Sequence, residues 1–116
     1  WTELTNYVSS QSQYVCGGDE DYYAKALASE TGWNNSTDNC TVGNNPSANN
    51  ATGFSARPAG LYNGSYNNFG LYANFWSATQ NISNHAYGRF LYYGYAYVSR
   101  YNDYEDYGSS VRCVRN

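Results

Sequence analysis

The sequence lacks methionine, contains a single histidine, and is charged at only 13% of its 116 positions. Its net charge is −3 and its few basic residues are dispersed, so a general attraction to nucleic acid is not expected. No run of about 18 apolar residues occurs, so no segment is expected to insert into a membrane as a helix. For this length we predict one domain, residues 1–116, with a single core of modest size.

Cysteine and histidine are also too sparse for an ordinary metal site or for a catalytic cysteine with a histidine base. The sequence has three cysteines, no CxxC pair, and His85 as its only histidine. A structural zinc site needs clustered Cys and His ligands. A nucleophilic Cys113 would need a better base than one histidine in a polar segment. We therefore predict no cofactor, no metal and no catalytic residue, and we do not expect an enzyme.

The cysteine positions nevertheless suggest one disulfide. Cys16 and Cys40 bracket a polar, Gly- and Asn-rich segment, whereas Cys113 lies in the strand-like run 110–114. We pair Cys16 with Cys40 and predict that Cys113 is a small buried thiol. Closing a loop of this size stabilises a fold by about 3 kcal/mol on the chain-entropy model. The bridge indicates an oxidising location.

The first half of the chain has helical patterns. An amphipathic helix is predicted over residues 1–10, with one apolar stripe. That stripe comprises Trp1, Leu4 and Val8. Because the sequence opens inside this helix and shows no signal peptide, we expect a fragment that lacks its N-terminal portion. A second helix is predicted over 19–30 with Asp19 as its N-cap, and Trp33 is expected to anchor it to the core.

The second half has the short runs that are typical of strands. The Asn63-Gly64 pair predicts a hairpin turn. Strands are predicted over 53–60, 71–79, 86–92, 95–100 and 107–115, with a further turn at 102–106. Helices followed by strands indicate an α+β fold, in which two helices pack on a short-stranded antiparallel sheet.

Tyrosine is the most informative residue of the sequence. Leu, Ile and Val are scarce, so the core is expected to rely on aromatic residues. Eight of the fifteen tyrosines fall within residues 81–107, mixed with Asn, Ser, Asp and Gly. Tyrosine offers a large, stiff surface with a polar tip, and this mixture is typical of binding surfaces such as antibody loops. We call residues 81–107 the tyrosine-rich stretch and predict that it is a recognition surface on a small scaffold.

Strand alternation sorts the residues of the tyrosine-rich stretch into two groups. One side of the predicted strands carries Tyr93, Tyr95, Tyr97 and Tyr101. The other side carries Phe90, Tyr92, Ala96 and Val98. Phe90 or Leu91, together with Val98, is assigned to the core. The predicted ligand-binding residues are Tyr87, Tyr93, Tyr95, Tyr97, Tyr101, Asn102, Asp103, Tyr104 and Glu105. The alternative is that the tyrosines only cover a sheet whose aliphatic core is thin.

Two acidic groups and the arginines have less specific interpretations. The group at 19–21 and the trio Asp103, Glu105 and Asp106 could each hold calcium. Carboxylates at a helix start are the simpler interpretation of the first group. The arginines are assigned to buried or half-buried pairs rather than to anion contacts. These arginines are Arg57, Arg89, Arg112 and Arg115.

Four blocks of the sequence together resemble a known family. They are GFSARPAG at 53–60, FWSAT at 75–79, YGSSVRCVR at 107–115, and AKALAS at 24–29 followed by Gly32-Trp33. They resemble the signature blocks of the Fibrobacter succinogenes major paralogous domain, found widely in Bacteroidetes-type surface proteins and lipoproteins. The resemblance covers nearly the whole chain. It implies a C-type-lectin-like fold shared with formylglycine-generating enzymes, an extracellular or cell-surface setting, and no established catalysis.

The tyrosine-rich stretch also resembles the variable segment of retroelement-diversified proteins. Those proteins present a C-type-lectin-like domain whose C-terminal segment is rewritten at adenines of template codons. Asn codons thereby become codons for Tyr, Ser, Asp, His or Gly. The stretch is rich in these residue types and lies between Trp76-Ser77 and residues 111–113. Diversified recognition is the hypothesis that follows.

We therefore expect a secreted or cell-surface ligand-binding domain, used in recognition or adhesion, whose ligand is a protein or glycan. A structural subunit, whose tyrosine surface meets another copy in a homo-oligomer or fibre, stays open. An enzyme related to formylglycine generators is a third class. Against it, the chain offers no cysteine pair in a cleft and no convincing acid and base. The Glu-Pro-Asn, Gln-Pro-Asp and Trp-Asn-Asp motifs of calcium-dependent lectins are missing, so sugar binding by that route is not implied.

Overall fold

The computed structural model describes residues 1–115, so the last position of the predicted 1–116 domain lies outside the described residues. Two helices come first, α1 at Thr2–Ser9 and α2 at Ala24–Leu27, with 3-10 turns at Ser12–Tyr14 and Pro46–Ala48. Five strands follow: β1 Leu61–Tyr62, β2 Tyr66–Asn67, β3 Tyr72–Ile82, β4 His85–Tyr92 and β5 Ser99–Tyr104. The predicted α+β class, with helices preceding short antiparallel strands, is confirmed.

Strands β3, β4 and β5 form one antiparallel sheet with β4 at its centre. Arg89 of β4 lies opposite Phe75 of β3 and opposite Arg100 of β5. The register of β3 against β4 shifts after Trp76, an irregularity of the kind that bends a strand. Strands β1 and β2 form a separate hairpin that turns at the predicted Asn63-Gly64 pair. Gly64 has φ +105°, a conformation that other residues rarely adopt.

The core is built from small side chains rather than from tyrosine. Val8, Leu27, Val42 and Leu91 are its largest fully buried residues. The other buried hydrophobic residues are six alanines with Trp33 and Phe75: Ala24, Ala26, Ala28, Ala56, Ala73 and Ala96. None of the fifteen tyrosines is buried. The expectation of an aromatic core therefore holds in part: Trp33 and Phe75 are buried, and burial of Trp33 agrees with its predicted anchoring role. Five half-buried aromatic side chains pack against the core, namely Trp1, Tyr14, Tyr23, Phe54 and Tyr93.

The second helix is much shorter than predicted. Asp19 does not cap it, because its Oδ1 accepts the Asp21 N–H at 3.0 Å within a local turn. At its other end Ala28 is extended and forms a parallel bridge with Ala56. This bridge uses backbone N–H and C=O groups that a longer helix would need for its own hydrogen bonds, so α2 ends at Leu27. Among residues 1–115, no helix combines the length and the apolar character needed to cross a membrane.

Three predicted strands differ from the structure. Residues 53–60 form only isolated bridges. Residues 95–98 are irregular, and β5 instead runs through the predicted turn at 102–106 as far as Tyr104. In the predicted strand 107–115, Ser110 pairs with β3, its N–H donating to Asn74 O at 2.9 Å.

The chain leaves the sheet after Ser110, and this exposes Cys113. The prediction of a buried thiol at this position is therefore wrong. A strand-like pattern in residues 110–114 did not place them in the sheet, because burial depends on a neighbouring strand as well as on the pattern.

The predicted disulfide between Cys16 and Cys40 is confirmed, with a Cα–Cα distance of 5.6 Å and a sequence separation of 24. It closes a polar loop around α2. Lys25 adds to this closure, because its ammonium donates to the carbonyls of Thr41, Asn44 and Asn45. Burial lowers the pKa of Lys25. The helical half of the molecule is thus held by cross-links as much as by secondary structure.

Candidate ligand-binding surface

One face of the three-stranded sheet carries a continuous layer of aromatic rings. Opposed residues of neighbouring strands point to the same side of a sheet. The pairs Tyr72 with Tyr92, Asn74 with Phe90, and Gly88 with Tyr101 define this side. Seven rings on this side form a surface that we call the aromatic face: Tyr72, Trp76, Phe90, Tyr92, Tyr95, Tyr97 and Tyr101. Each ring centroid lies 4.6–6.4 Å from another, so the seven rings form one connected surface.

Gly88 allows Tyr101 to lie flat on the central strand. A Cβ at position 88 would come within 2.6 Å of the Tyr101 ring and of the Phe75 carbonyl oxygen. The Tyr101 ring stacks on Trp76, and its hydroxyl lies 3.3 Å from Ser109 Oγ. Burial raises the pKa of Tyr101, although hydrogen bonds from Ser109 and Asn74 act in the opposite direction. The phenol is therefore neutral at physiological pH and can donate a hydrogen bond.

The connection between β4 and β5, residues 93–98, carries the exposed rings of Tyr95 and Tyr97. Three backbone hydrogen bonds tie it to the helical half of the chain. They run from Gly43 N to Tyr93 O at 2.7 Å, from Val42 N to Tyr95 O at 3.1 Å, and from Ala24 N to Ala96 O at 2.9 Å. Ala96 is buried, while Tyr95 and Tyr97 are 36% and 40% exposed and stack at 4.6 Å. A fixed backbone beneath exposed rings lowers the ordering cost of binding.

The structure divides the predicted ligand-binding residues between two faces. Tyr95, Tyr97 and Tyr101 belong to the aromatic face. Tyr93 lies at its margin, in contact with Tyr92 and partly packed on the core. Tyr87, Asn102 and Tyr104 lie on the opposite face of the sheet. Asp103 is half-buried and accepts the Tyr104 N–H at 3.0 Å, and Glu105 is exposed just after β5.

The predicted parity groups are wrong because residues 93–98 do not form a strand. Tyr101 shares a face with Phe90 and does not oppose it, and their rings lie 5.8 Å apart. Leu91 is fully buried and Val98 packs on the core, as predicted. Tyr72 and Trp76 of the aromatic face were missed because they precede the tyrosine-rich stretch. Alternation along the predicted strand 71–79 is the signal that could have found them.

The opposite face of the sheet borders a cleft of about 450 Å³ that contains three arginines. We call it the arginine cleft. It is lined by Trp1, Thr2, Leu4, Phe54, Trp76, Ser77, Ala78, Thr79, Tyr87, Arg89, Arg100, Arg112 and Val114. The Arg100 guanidinium lies 3.7 Å from the centre of the Tyr87 ring. Arg112 lies over the Phe54 ring at 4.5 Å and donates to Phe54 O at 2.9 Å.

The arginines differ from their predicted role in buried pairs. Arg57, Arg112 and Arg115 are exposed, and only Arg89 is half-buried. Burial lowers the pKa of Arg89, Arg100 lowers it further, and Tyr23 acts in the opposite direction. Among residues 1–115, no three His, Cys, Asp or Glu side chains are grouped so that they could hold a metal ion.

The chain matches a protein-family model over almost its whole length. The model of the Fibrobacter succinogenes major domain matches residues 1–115. No curated protein matches the chain, and no solved structure does. The match spans the four sequence blocks and the whole tyrosine-rich stretch, so both faces of the sheet lie inside the matched region.

Proposed function

The chain belongs to the Fibrobacter succinogenes major domain, a bacterial family, and from this premise we propose that it is a non-enzymatic extracellular binding domain of C-type-lectin-like fold. Its ligand, a protein or a glycan, contacts the aromatic face. Rings provide the contact area and phenol hydroxyls provide directed hydrogen bonds.

The observation that carries this proposal is that seven connected rings lie on one face of the sheet and none of them belongs to the buried core. If the tyrosines served only as packing, most of their rings would be buried, yet none of the fifteen is, and Tyr95 and Tyr97 are each more than a third exposed. Contiguous exposed apolar surface usually marks an interaction site. The backbone anchors of residues 93–96 support recognition by a preformed surface.

The proposed location outside the cell is supported by the disulfide between Cys16 and Cys40. Disulfides persist in oxidising compartments and are rare in the cytosol. A surface location also agrees with a ligand-binding role in recognition or adhesion.

Retroelement diversification, if it acts on this chain, predicts where sister copies from the same genome differ. Differences are expected at Tyr92, Tyr95, Tyr97 and Tyr101, whose rings lie on the aromatic face. Within the same stretch, Leu91 and the other buried positions, Gly88 and Ala96, are expected to stay constant. Differences spread evenly over the whole chain would contradict diversified recognition.

A binding assay with paired variants tests the proposed function. The probes are a glycan microarray and a phage-displayed random peptide library. We expect the double variant Tyr95→Ser/Tyr97→Ser to lose at least about tenfold in affinity for the probes bound by the parent chain, because stacking contacts at hot spots are lost. The matched control is Tyr7→Ser/Tyr66→Ser, which removes two exposed tyrosines outside the aromatic face. Equal losses in both variants, or no bound probe, would contradict the proposal.

Self-assembly is the second candidate, because β5 has no strand partner on its outer edge among residues 1–115. An open edge can pair with another chain. Size-exclusion chromatography with light scattering at micromolar and at near-millimolar concentration distinguishes the two roles. A mass that rises with concentration and falls in Tyr95→Ser/Tyr97→Ser favours a structural subunit, whereas a constant monomer mass favours a receptor.

A further inference from the structure

The arginine cleft concentrates positive charge in an acidic protein. Three of the six basic residues of the chain line it, and no Asp or Glu is among its lining residues. The net charge of the chain is −3, so this placement runs against its overall charge. A cleft lined by one sign of charge attracts ligands of the opposite sign.

The pairing of Arg89 with Arg100 adds to this argument. The two residues lie directly opposite each other on β4 and β5, and like charges in this position are destabilising. Each guanidinium is nevertheless held in place. Arg100 lies on the Tyr87 ring, and Arg89 Nη1 donates to Gly88 O at 3.3 Å. An anion between the two guanidiniums would relieve their repulsion.

The remaining wall of the cleft is apolar. Trp1 packs against Phe54 at a centroid distance of 5.7 Å, and its indole N–H is already used by Trp76 O at 3.2 Å. Leu4 and Val114 continue this wall. The volume of about 450 Å³ falls within the range of about 300–1,000 Å³ that small-molecule sites occupy.

We propose that the arginine cleft binds a small organic acid whose carboxylate lies next to an apolar group, as in the C-terminal residue of a peptide that ends in an aromatic side chain. The carboxylate is held by Arg89 and Arg100, since guanidinium matches carboxylate in a two-bond geometry. The apolar group packs on Trp1 and Phe54. The cleft shares only Trp76 with the aromatic face, and Arg89, Arg100, Trp1 and Phe54 lie outside that face, so the proposal does not depend on the proposed function.

Titration with matched small molecules tests the ligand class. The probes are N-acetyl-L-phenylalanine, its amide, and inorganic phosphate, followed by NMR chemical shifts of the Trp1 indole N–H. We expect the acid to bind at least about tenfold more tightly than the amide, because it forms charge-assisted hydrogen bonds. Phosphate, which has no apolar group, is expected to bind more weakly than the acid. Equal affinity of acid and amide, or an equal affinity of phosphate, would overturn the proposal.

A pair of arginine variants tests the location of the site. Arg100→Gln is expected to weaken binding of the acid at least about tenfold, and Arg57→Gln, an exposed arginine outside the cleft, to change it less than about twofold. Arg100→Lys keeps the charge but loses the guanidinium fork, so we expect an intermediate loss. Circular dichroism and melting temperature check that each variant is folded. If Arg57→Gln weakens binding as much as Arg100→Gln, the attraction is nonspecific and the proposed site is wrong.

Discussion

The helical half of the molecule, residues 1–60, and the sheet half, residues 61–110, are stabilised in different ways. The helical half has little regular structure, and its buried side chains are small apart from Trp33. The sheet half has a three-stranded antiparallel sheet, and most of its large rings lie outside the buried core. Small side chains let backbone segments approach closely, and a disulfide and Lys25 add cross-links. The comparison shows that the residues that dominate the composition are separate from those that hold the fold.

Replacing a core side chain is expected to have the largest effect on stability. Leu27→Ala removes a fully buried side chain of the helical half and is expected to lower the free energy of unfolding by about 2–5 kcal/mol. Tyr97→Ala, on the aromatic face, removes a larger but exposed side chain and is expected to cost less than about 1.5 kcal/mol. Urea denaturation of both variants measures the difference. A larger loss in Tyr97→Ala would mean that the rings do hold the fold.

Removing the disulfide is expected to have the next largest effect. The double variant Cys16→Ser/Cys40→Ser frees a loop with a sequence separation of 24 and is expected to lose about 3 kcal/mol of stability. Cys113→Ser is the control, and because Cys113 is exposed we expect a change within about 0.5 kcal/mol. Thermal unfolding of the two variants at one pH is the measurement. A large loss in the control would show that the C-terminal segment contributes to the core.

Gly88→Ala tests the close contact between the central strand β4 and the Tyr101 ring of the aromatic face. Its new Cβ would meet the Tyr101 ring and the Phe75 carbonyl at 2.6 Å, so the ring and the strand must both shift. We expect a loss of about 1–3 kcal/mol in the free energy of unfolding, with a change in the near-ultraviolet circular dichroism of the rings. An unchanged spectrum with unchanged stability would show that Tyr101 does not depend on this glycine.

Sequence reasoning could predict the strands that have strong local signals. The dense apolar run around Phe75, the run from Ala86 to Tyr92, and the Asn63-Gly64 turn each appear in the structure near their predicted bounds. The bridge from Cys16 to Cys40 followed from the polar segment between them. These features depend on residues that are close in sequence, and for that reason a pattern can reveal them.

The rest depended on contacts between distant segments. The end of α2 is set by Ala56, 28 residues after Ala28, and no local pattern contains that pairing. The faces of the tyrosine-rich stretch depend on the irregular connection 93–98, which shifts the parity of β5 relative to β4. The arginine cleft brings residue 1 next to residues 89–112, so the sequence alone did not indicate that Arg89, Arg100 and Arg112 share one cleft.

Alkaline pH is expected to have the smallest effect on stability, and it tests the contribution of Tyr101 in the sheet half. Burial raises the pKa of Tyr101, and of Tyr23 in the helical half, above the ordinary value near 10. The unfolded chain therefore loses these protons first, so the stabilisation is complete below pH 10 and is lost as the pH rises through the raised native values. The lowered pKa of Lys25 acts in the opposite direction. Melting temperatures between pH 8 and about 10.5 are expected to fall less in Tyr101→Phe than in the parent chain, because the contribution of the Tyr101 hydroxyl is removed. An equal fall would mean that the alkaline sensitivity comes from the other tyrosines with raised pKa values, which are Tyr23 in the helical half and Tyr92 and Tyr97 on the aromatic face.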